Sequence, residues 1–336
     1  MDSNYSKLHQ PITPEMLYTL VKHTFGANTQ VKQYGLLQGG LFNTTYRIEL
    51  DHPKYPDIIL RLAPERVQDE DIEHTLVDPL FSFERTMMAS EPIIYELYRQ
   101  QGIPCATVIA CDSSGITIPR TYMFMEFIPS RQLNDPSLLA KEKEELYRQL
   151  GAYTATMHTI EAESFGWPQA DGTIKGSTRW SEVVLAYAAE TAAKAEQAQY
   201  MHGVGEEILS ILEGNQHILD QVTKPVLVHN DLWEANVLIH EQQGQPRIAA
   251  IIDGDRSMFA DREFEALLST ESTDFHKGYD RPLDMSEEGQ LRRFMYRLVS
   301  AYFNAYVHEH QVNQHEDAQK YEQRTLSLLK EWKERN

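Results

Sequence analysis

Thiols are scarce in this chain: Cys105 and Cys111 are the two cysteines in 336 residues. Their spacing fits neither a zinc-binding pair nor a C-x-x-C redox motif, so both read as reduced structural thiols of a cytosolic protein. No apolar run is long enough to cross a membrane. The opening stretch has no basic region followed by an apolar run, so no signal peptide is expected and the cytoplasm is the expected location. Basic residues are also few, 31 Lys plus Arg against 50 Asp plus Glu, for a formal net charge of -19. That balance disfavours binding to nucleic acid or to an anionic membrane surface. It fits a solvated acidic surface, and also a field that draws in cationic small molecules.

What is present is a body of two kinds. Hydrophobic residues make up 41% of the chain, enough for a sizeable core. Thr13-Pro14-Glu15 carries a cap residue, a first-turn proline and an acid, and predicts a helix to about Phe25. Strands are expected over Val31–Gln38, Leu41–Leu50 and Ile58–Leu62, a helix from Phe83 or Met87 to Gln101, and further strands over Thr107–Cys111 and Thr121–Ile128. Beyond Pro129, long helical patterns take over at Lys141–Ile160, Trp180–Tyr200, Glu206–Val222, Glu287–His310 and Glu316–Trp332. Short apolar strands interrupt them at Val226–Val228, Val237–Ile239 and Ile248–Ile252. The expectation is an α+β fold of two lobes: residues 1–128, a small antiparallel sheet with one principal helix that binds nucleotide, and residues 129–336, mostly helical, holding the acceptor.

The chemistry concentrates in V-H-N-D-L-W-E-A-N-V-L-I, where His229, Asp231 and Asn236 form an H-x-D-x-x-x-x-N pattern between two short apolar strands. This spacing suits phosphoryl transfer: a carboxylate orients a hydroxyl and accepts its proton, and an amide oxygen further along reaches a metal. Asp253 ends a second apolar strand, where a carboxylate is costly without a cation, and magnesium is its natural partner. His229 reads as a residue that orients the loop. Upstream, Gly39 and Gly40 form a turn between two strands, with Asn43 and Thr44 along it, and such a turn can present backbone N–H groups to phosphates. Arg61 lies in the apolar run I-I-L-R-L and needs an anion; Glu91 is the expected partner and Glu96, one turn later, its competitor. Glu126 and Ile128, at the end of the strand before the change in character, are placed to offer backbone groups to an adenine.

Together these segments resemble the aminoglycoside phosphotransferase family, related to choline kinase and fructosamine kinase, over roughly residues 30 to 310. The resemblance implies a protein-kinase-like fold, ATP and Mg2+ as cofactors, and a small-molecule acceptor. It implies that Asp231 is the catalytic carboxylate, that Asn236 and Asp253 hold the metal, and that Asp261 and Glu265 of A-D-R-E-F-E stand at the family's usual acidic positions, with Asp261 bracing the catalytic loop. The helix L-G-A-Y-T-A-T-M-H with His158, and F-G-W-P followed by Trp180, also match the family pattern. Two departures stand out: Arg61 where many kinases carry lysine, and Gly254-Asp255 after the metal aspartate. An amino-bearing acceptor such as an aminoglycoside is expected, with Glu182, Asp255, Glu271 and Asp274 as candidate contacts. The alternatives are a metabolic kinase for choline, ethanolamine, a glycated amine or a sugar, and a non-catalytic nucleotide-binding protein. His308, His310 and His315 read as solvated histidines, because residues two apart on a helix do not share a face.

Overall fold

The computed structural model describes residues 6, 8–37, 40–65, 80–265 and 272–335. Helix α1, Pro14–Phe25, begins as its sequence predicts: the Thr13 side chain accepts from the Met16 N–H, and Gly26, at φ 101°, ends it. Strands β1 (Val31–Leu36), β2 (Thr44–Leu50) and β3 (Asp57–Leu62) follow, then α2 (Met87–Gln100), β4 (Val108–Asp112) and β5 (Tyr122–Glu126). The strands form one antiparallel sheet in the order β1-β2-β3-β5-β4. Alternation along β3 divides its side chains: Ile58, Leu60 and Leu62 pack with Leu17, Leu20 and Val21 of α1, which leaves Arg61 for the opposite face, the side of α2.

Pro92 lies inside α2 and has no N–H to give to the carbonyl of Met88. The Cys111 thiol donates to that carbonyl at 3.8 Å. One of the two cysteines therefore serves a backbone group that the proline leaves short. Burial pushes the Cys111 thiol up to about 12 and the Cys105 thiol up to about 11, so neither is a ready nucleophile.

The rest of the chain runs β6 (Arg131–Gln132), α3 (Ala140–Met157), β7 (Phe165–Pro168), β8 (Ile174–Ser177), α4 (Trp180–Gln197), α5 (Val204–Gly214) and α6 (Gln216–Leu219). Then come β9 (Val226–Val228), β10 (Val237–Gln242), β11 (Gln245–Ile251), β12 (Met258–Ala260), α7 (Thr273–Tyr279), α8 (Glu287–His310) and α9 (His315–Arg335). Two small sheets, β11-β10-β6 and β8-β7-β12-β9, sit among these helices. The turn of the β10–β11 hairpin has Gln243 at φ 53° and Gly244 at φ 72°, the backbone of a tight two-residue connection. Helix α8 is the spine of the largest core cluster, with Phe294, Leu298, Tyr302 and Tyr306 buried.

Several expectations change. The single helix over Glu206–Val222 is two, broken at Asn215, whose φ of -119° is not helical. The strand expected from Leu41 begins only at Thr44, and the helix expected from Phe83 or Met87 begins at Met87. No local sequence pattern predicts the hairpin β7–β8, the strand β12 or the helix α7. Helix α7 packs closely on α3 because two glycines face it and α3: a Cβ on Gly151 would meet the Phe275 carbonyl oxygen at 2.1 Å, and one on Gly278 the Arg148 carbonyl oxygen at 1.8 Å. Among the described residues, no helix is long and apolar enough to cross a membrane.

Candidate active site

The site is built on the β10–β11 hairpin. Val237 pairs with Ile251 at its base, and the Ile252 N–H donates to the Asn236 carbonyl at 2.9 Å. Asn236, ending the segment before β10, and Asp253, just after β11, are thus held at the two feet of one hairpin. Asn236 Nδ2 donates to the Asp231 carbonyl at 2.8 Å and to its carboxylate at 3.2 Å. That leaves the Asn236 amide oxygen as its free acceptor. Burial pushes the Asp231 carboxyl up to about 7 against the pull of Arg256; Asp253 adds to the rise and Asn236 opposes it. Asn230 and Asp253 both take left-handed backbone, φ 60° and 61°, a conformation that Asn and Asp tolerate better than most residues.

His229 is a brace. Its Nε2 contacts the Ile252 carbonyl at 3.0 Å, and its Nδ1 accepts from the Asp231 N–H at 3.3 Å. These partners require the proton on Nε2, so the ring is neutral. Burial agrees, pulling its pKa down to about 4. The ring ties the catalytic-pattern loop to the residue before Asp253. Glu265 completes the brace: its buried carboxylate accepts from the His229 N–H at 2.7 Å and from the Asn230 N–H at 3.4 Å. The bracing role expected of Asp261 therefore belongs to Glu265. Asp261 accepts instead from the Glu263 N–H at 3.1 Å and from Tyr296 Oη at 2.8 Å, and lies 3.6 Å from Arg292.

Arg61 stands where the sheet, α2 and the hairpin meet. Its Nη1 bonds both oxygens of Glu91, at 2.5 and 2.6 Å. Its Nη2 pairs with Asp253 and, at 3.2 Å, with Asp255. Burial disfavours the guanidinium cation, but Glu91, Asp253 and Asp255 outweigh it and hold Arg61 firmly charged. The same burial pushes Glu91 and Asp255 up, and repulsion from Asp253 adds to the rise while Arg61 opposes it. Tyr95, one turn beyond Glu91, donates to Glu91 at 2.6 Å and accepts from the Asp253 N–H at 3.0 Å, linking α2 to the foot of β11. The competitor Glu96 is exposed and pairs with Arg99.

The glycine turn reaches the same spot. Asn43 Nδ2 donates to Asp255 Oδ2 at 2.9 Å, and a Cβ on Gly40 would come within 2.9 Å of the Asn43 carbonyl oxygen, so the turn is tightly closed. Thr44 faces elsewhere: its hydroxyl accepts from the Gln10 N–H at 2.9 Å, which gives it a structural partner. Gly39 lies outside the described residues. At the end of β5, the Glu126 N–H donates to the Thr107 carbonyl at 2.9 Å and the Ile128 carbonyl accepts from Ser130 Oγ at 2.8 Å. Those two backbone groups are already engaged.

The candidate acceptor contacts scatter. Asp255 is buried in the Arg61 cluster, Glu182 bonds Ser177 and lies near Arg179, and Asp274 pairs with Lys277 at 2.7 Å. Glu271 lies outside the described residues. Trp233, in the catalytic-pattern loop, is exposed. Of the C-terminal histidines, His308 stacks on Tyr321 and contacts Gln314 at 3.2 Å, and His315 pairs with Glu309. Sequence reading placed Glu265 in the acidic pattern of A-D-R-E-F-E but gave the bracing role to Asp261, and it missed Tyr95 and Arg256. Tyr95 carried a signal, the four-residue helical spacing from Glu91; Arg256 carried none.

A small antiparallel sheet with one helix on its Arg61 face, set against a helical body with its polar residues gathered on a hairpin, is the fold of a kinase. A family model described as "Phosphotransferase enzyme family" matches residues 34–302, and the chain belongs to that family. It is a phosphotransferase. Three solved structures share the fold. A thermostable mutant of aminoglycoside phosphotransferase APH(4)-Ia, in ternary complex with AMP-PNP and hygromycin B, aligns at TM-score 0.66 and 17% identity over 94% of this chain and 98% of that chain. A gentamicin–APH(2'')-IIa complex aligns at 0.57 and 17%, over 94% and 97%. Spectinomycin phosphotransferase APH(9)-Ia, in complex with ADP and spectinomycin, aligns at 0.50 and 18%, over 97% and 95%. No curated protein sequence matches the chain.

Proposed function

We propose that this protein is an ATP- and Mg2+-dependent small-molecule kinase that moves the γ-phosphate to a hydroxyl of an amino-bearing acceptor. The observation that carries the reading is the hairpin: Asp231 and Asn236, joined by a hydrogen bond, stand at one foot, and Asp253, reached by Arg61, at the other. Residues 1–128 act as the nucleotide-binding lobe and residues 129–336 as the lobe that carries the catalytic loop and the acceptor. The reduced thiols suit work in the cytoplasm.

The donor set fits magnesium. The Asn236 amide oxygen and the Asp253 carboxylate are hard oxygen ligands, the class that magnesium prefers. Magnesium, when bound, neutralises charge on the triphosphate. Arg61, fixed by Glu91, is placed to meet the α- and β-phosphates, with Gly40 and Asn43 along the turn beside them and Thr44 anchoring the end of that turn. The Glu126 carbonyl and the Ile128 N–H, at the end of β5, are the groups that would meet an adenine. Asp231 orients the acceptor hydroxyl and takes its proton as the oxygen attacks the terminal phosphorus. The bond to the bridging oxygen breaks, and ADP leaves. His229 and Glu265 keep the loop in place while this happens.

An amino-bearing acceptor, such as an aminoglycoside, is supported by the net charge of -19 and by three neighbours solved with hygromycin B, gentamicin and spectinomycin. A second reading, an uncharged sugar, is favoured by Arg256, a cation whose charge acts on Asp231, and by the other engagements of Glu182, Asp255 and Asp274. A phosphoryl-transfer screen with MgATP over aminoglycosides, amino alcohols and sugars, run beside Asp231→Ala, decides. ADP release should depend on one acceptor class and vanish in the variant. A mutant that matches wild type removes Asp231 from its role, and an amine-free sugar as best acceptor removes the amino-bearing reading.

A further inference from the structure

Glu84 lies before α2 and has no part in the reading above. It is buried, and its carboxylate is met by three donors. One carboxylate oxygen accepts from the Phe81 N–H at 2.9 Å and from Gln311 Nε2 at 2.8 Å; the other accepts from Arg256 Nη2 at 3.0 Å. Three donors drawn from three separate parts of the chain fix this carboxylate in place.

Arg256 is correspondingly fixed. It closes the short turn Gly254–Arg256 after Asp253, and its carbonyl accepts from Asn230 Nδ2 at 3.4 Å, next door to Asp231. Its guanidinium lies 5.7 Å from the ring of Phe42, in the glycine turn, and 5.6 Å from the ring of Phe303, in α8. The cation therefore sits where the phosphate turn, the catalytic loop and the helical body meet. A guanidinium has five N–H donors, and Glu84 takes one of them. The charges of Arg256 and Asp231 also act on each other.

We propose that Glu84 is a positioning residue for phosphoryl transfer: it holds the Arg256 guanidinium between the glycine turn and Asp231, where the cation meets the phosphoryl group in transit. The inference rests on the kinase reading. In the step concerned, the acceptor oxygen bonds to the terminal phosphorus, the bond from that phosphorus to the bridging oxygen breaks with its electron pair going to ADP, and the hydroxyl proton passes to Asp231. Negative charge on the three remaining phosphoryl oxygens is what a fixed guanidinium stabilises.

The test follows ADP release from MgATP, first alone, with water as acceptor, and then with the best acceptor of the screen. Arg256→Gln and Glu84→Gln should each lower kcat by roughly tenfold to a hundredfold and leave KM for ATP within about twofold. Glu84→Gln leaves Arg256 without its buried partner and threatens folding, so Glu84→Gln/Arg256→Gln, which removes both charges, is measured as well. Its kcat should equal that of Arg256→Gln alone, because the pair acts as a unit. A double variant much slower than Arg256→Gln, an Arg256→Gln protein at wild-type kcat, or a loss confined to KM overturns the proposal. Wild-type protein that releases no ADP under any condition brings down the kinase reading, and this inference with it. Wild-type turnover with unaffected variants brings down this inference alone.

Discussion

One guanidinium nitrogen of Arg61 bonds both carboxylate oxygens of Glu91, at 2.5 and 2.6 Å, with Glu91 fully buried. The pair joins β3 to α2, and the other nitrogen of Arg61 reaches Asp253 and Asp255 at the foot of the hairpin. Removing Glu91 breaks the tie to α2 but leaves the guanidinium with those two carboxylates. Glu91→Ala should lower unfolding stability by about 1.5 to 3 kcal/mol, the loss of hydrogen bonds to a charged group, read from urea denaturation. It should also raise KM for ATP more than Glu96→Ala, whose carboxylate is exposed and serves Arg99.

Asp231→Asn keeps the shape of the side chain and the contact with Asn236 while removing the base. Turnover should fall by roughly a hundredfold to ten-thousandfold. Binding should persist, so MgATP should still raise the melting temperature of the variant. Loss of the thermal shift together with turnover would assign Asp231 to nucleotide binding instead.

Glu265→Ala removes the acceptor for the His229 N–H, and should destabilise the protein by about 1 to 3 kcal/mol. Because the loop then loosens, kcat should drop as well. Asp261→Asn, which touches Tyr296 and the Glu263 N–H, should cost stability with a smaller effect on kcat. Paired denaturation and turnover measurements on the two variants separate the roles.

His158 gives a stability slope on the acid side. It is buried against Tyr279 Oη at 2.7 Å, and burial, aided by Arg262 and Arg281, pulls its pKa down to about 3. Above its ordinary value of 6.5, folded and unfolded forms are both neutral and nothing is lost. Below it the unfolded chain takes up a proton that the folded chain refuses, so stability falls with falling pH by about 1.4 kcal/mol per unit until the folded pKa is reached. Urea midpoints between pH 7.5 and 5 should therefore drop less steeply for His158→Phe than for wild type. Equal slopes would mean that His158 charges in the folded state.

Gly151→Ala should be severely destabilising, since its new methyl would press on the Phe275 carbonyl at 2.1 Å, backbone that cannot rotate aside. Gly214→Ala, where nothing lies within 4 Å of the added carbon, is the control. Thermal melts of the two variants suffice.

The fold was legible where local patterns are strong. The long apolar stripe of Glu287–His310 and the cap at Thr13-Pro14 gave their helices, and the order Asp231, Asn236, Asp253 gave the centre of the site. The pairing of Arg61 with Glu91 was also legible, because a cation in an apolar strand demands an anion. What stayed hidden depends on contacts far apart in the chain. Phe165–Pro168 and Met258–Ala260 are too short to show a period and exist because they pair with each other and with β9. Helix α7 depends on two glycines more than a hundred residues apart. Glu84 meets Arg256 across 172 positions and no motif marks the pair; Glu265 reaches His229 across 36, so the A-D-R-E-F-E pattern marks its position and not its partner.

The β10–β11 hairpin sets Asn236 and Asp253 by its base, while its tip at Gln243-Gly244 is exposed and turns away from both. The base and the tip are therefore independent engineering handles. An epitope, a fluorophore or a new pair of chain ends placed between Gln243 and Gly244 should leave the spacing of the feet untouched, and would put a reporter on the same rigid ribbon that carries the chemistry.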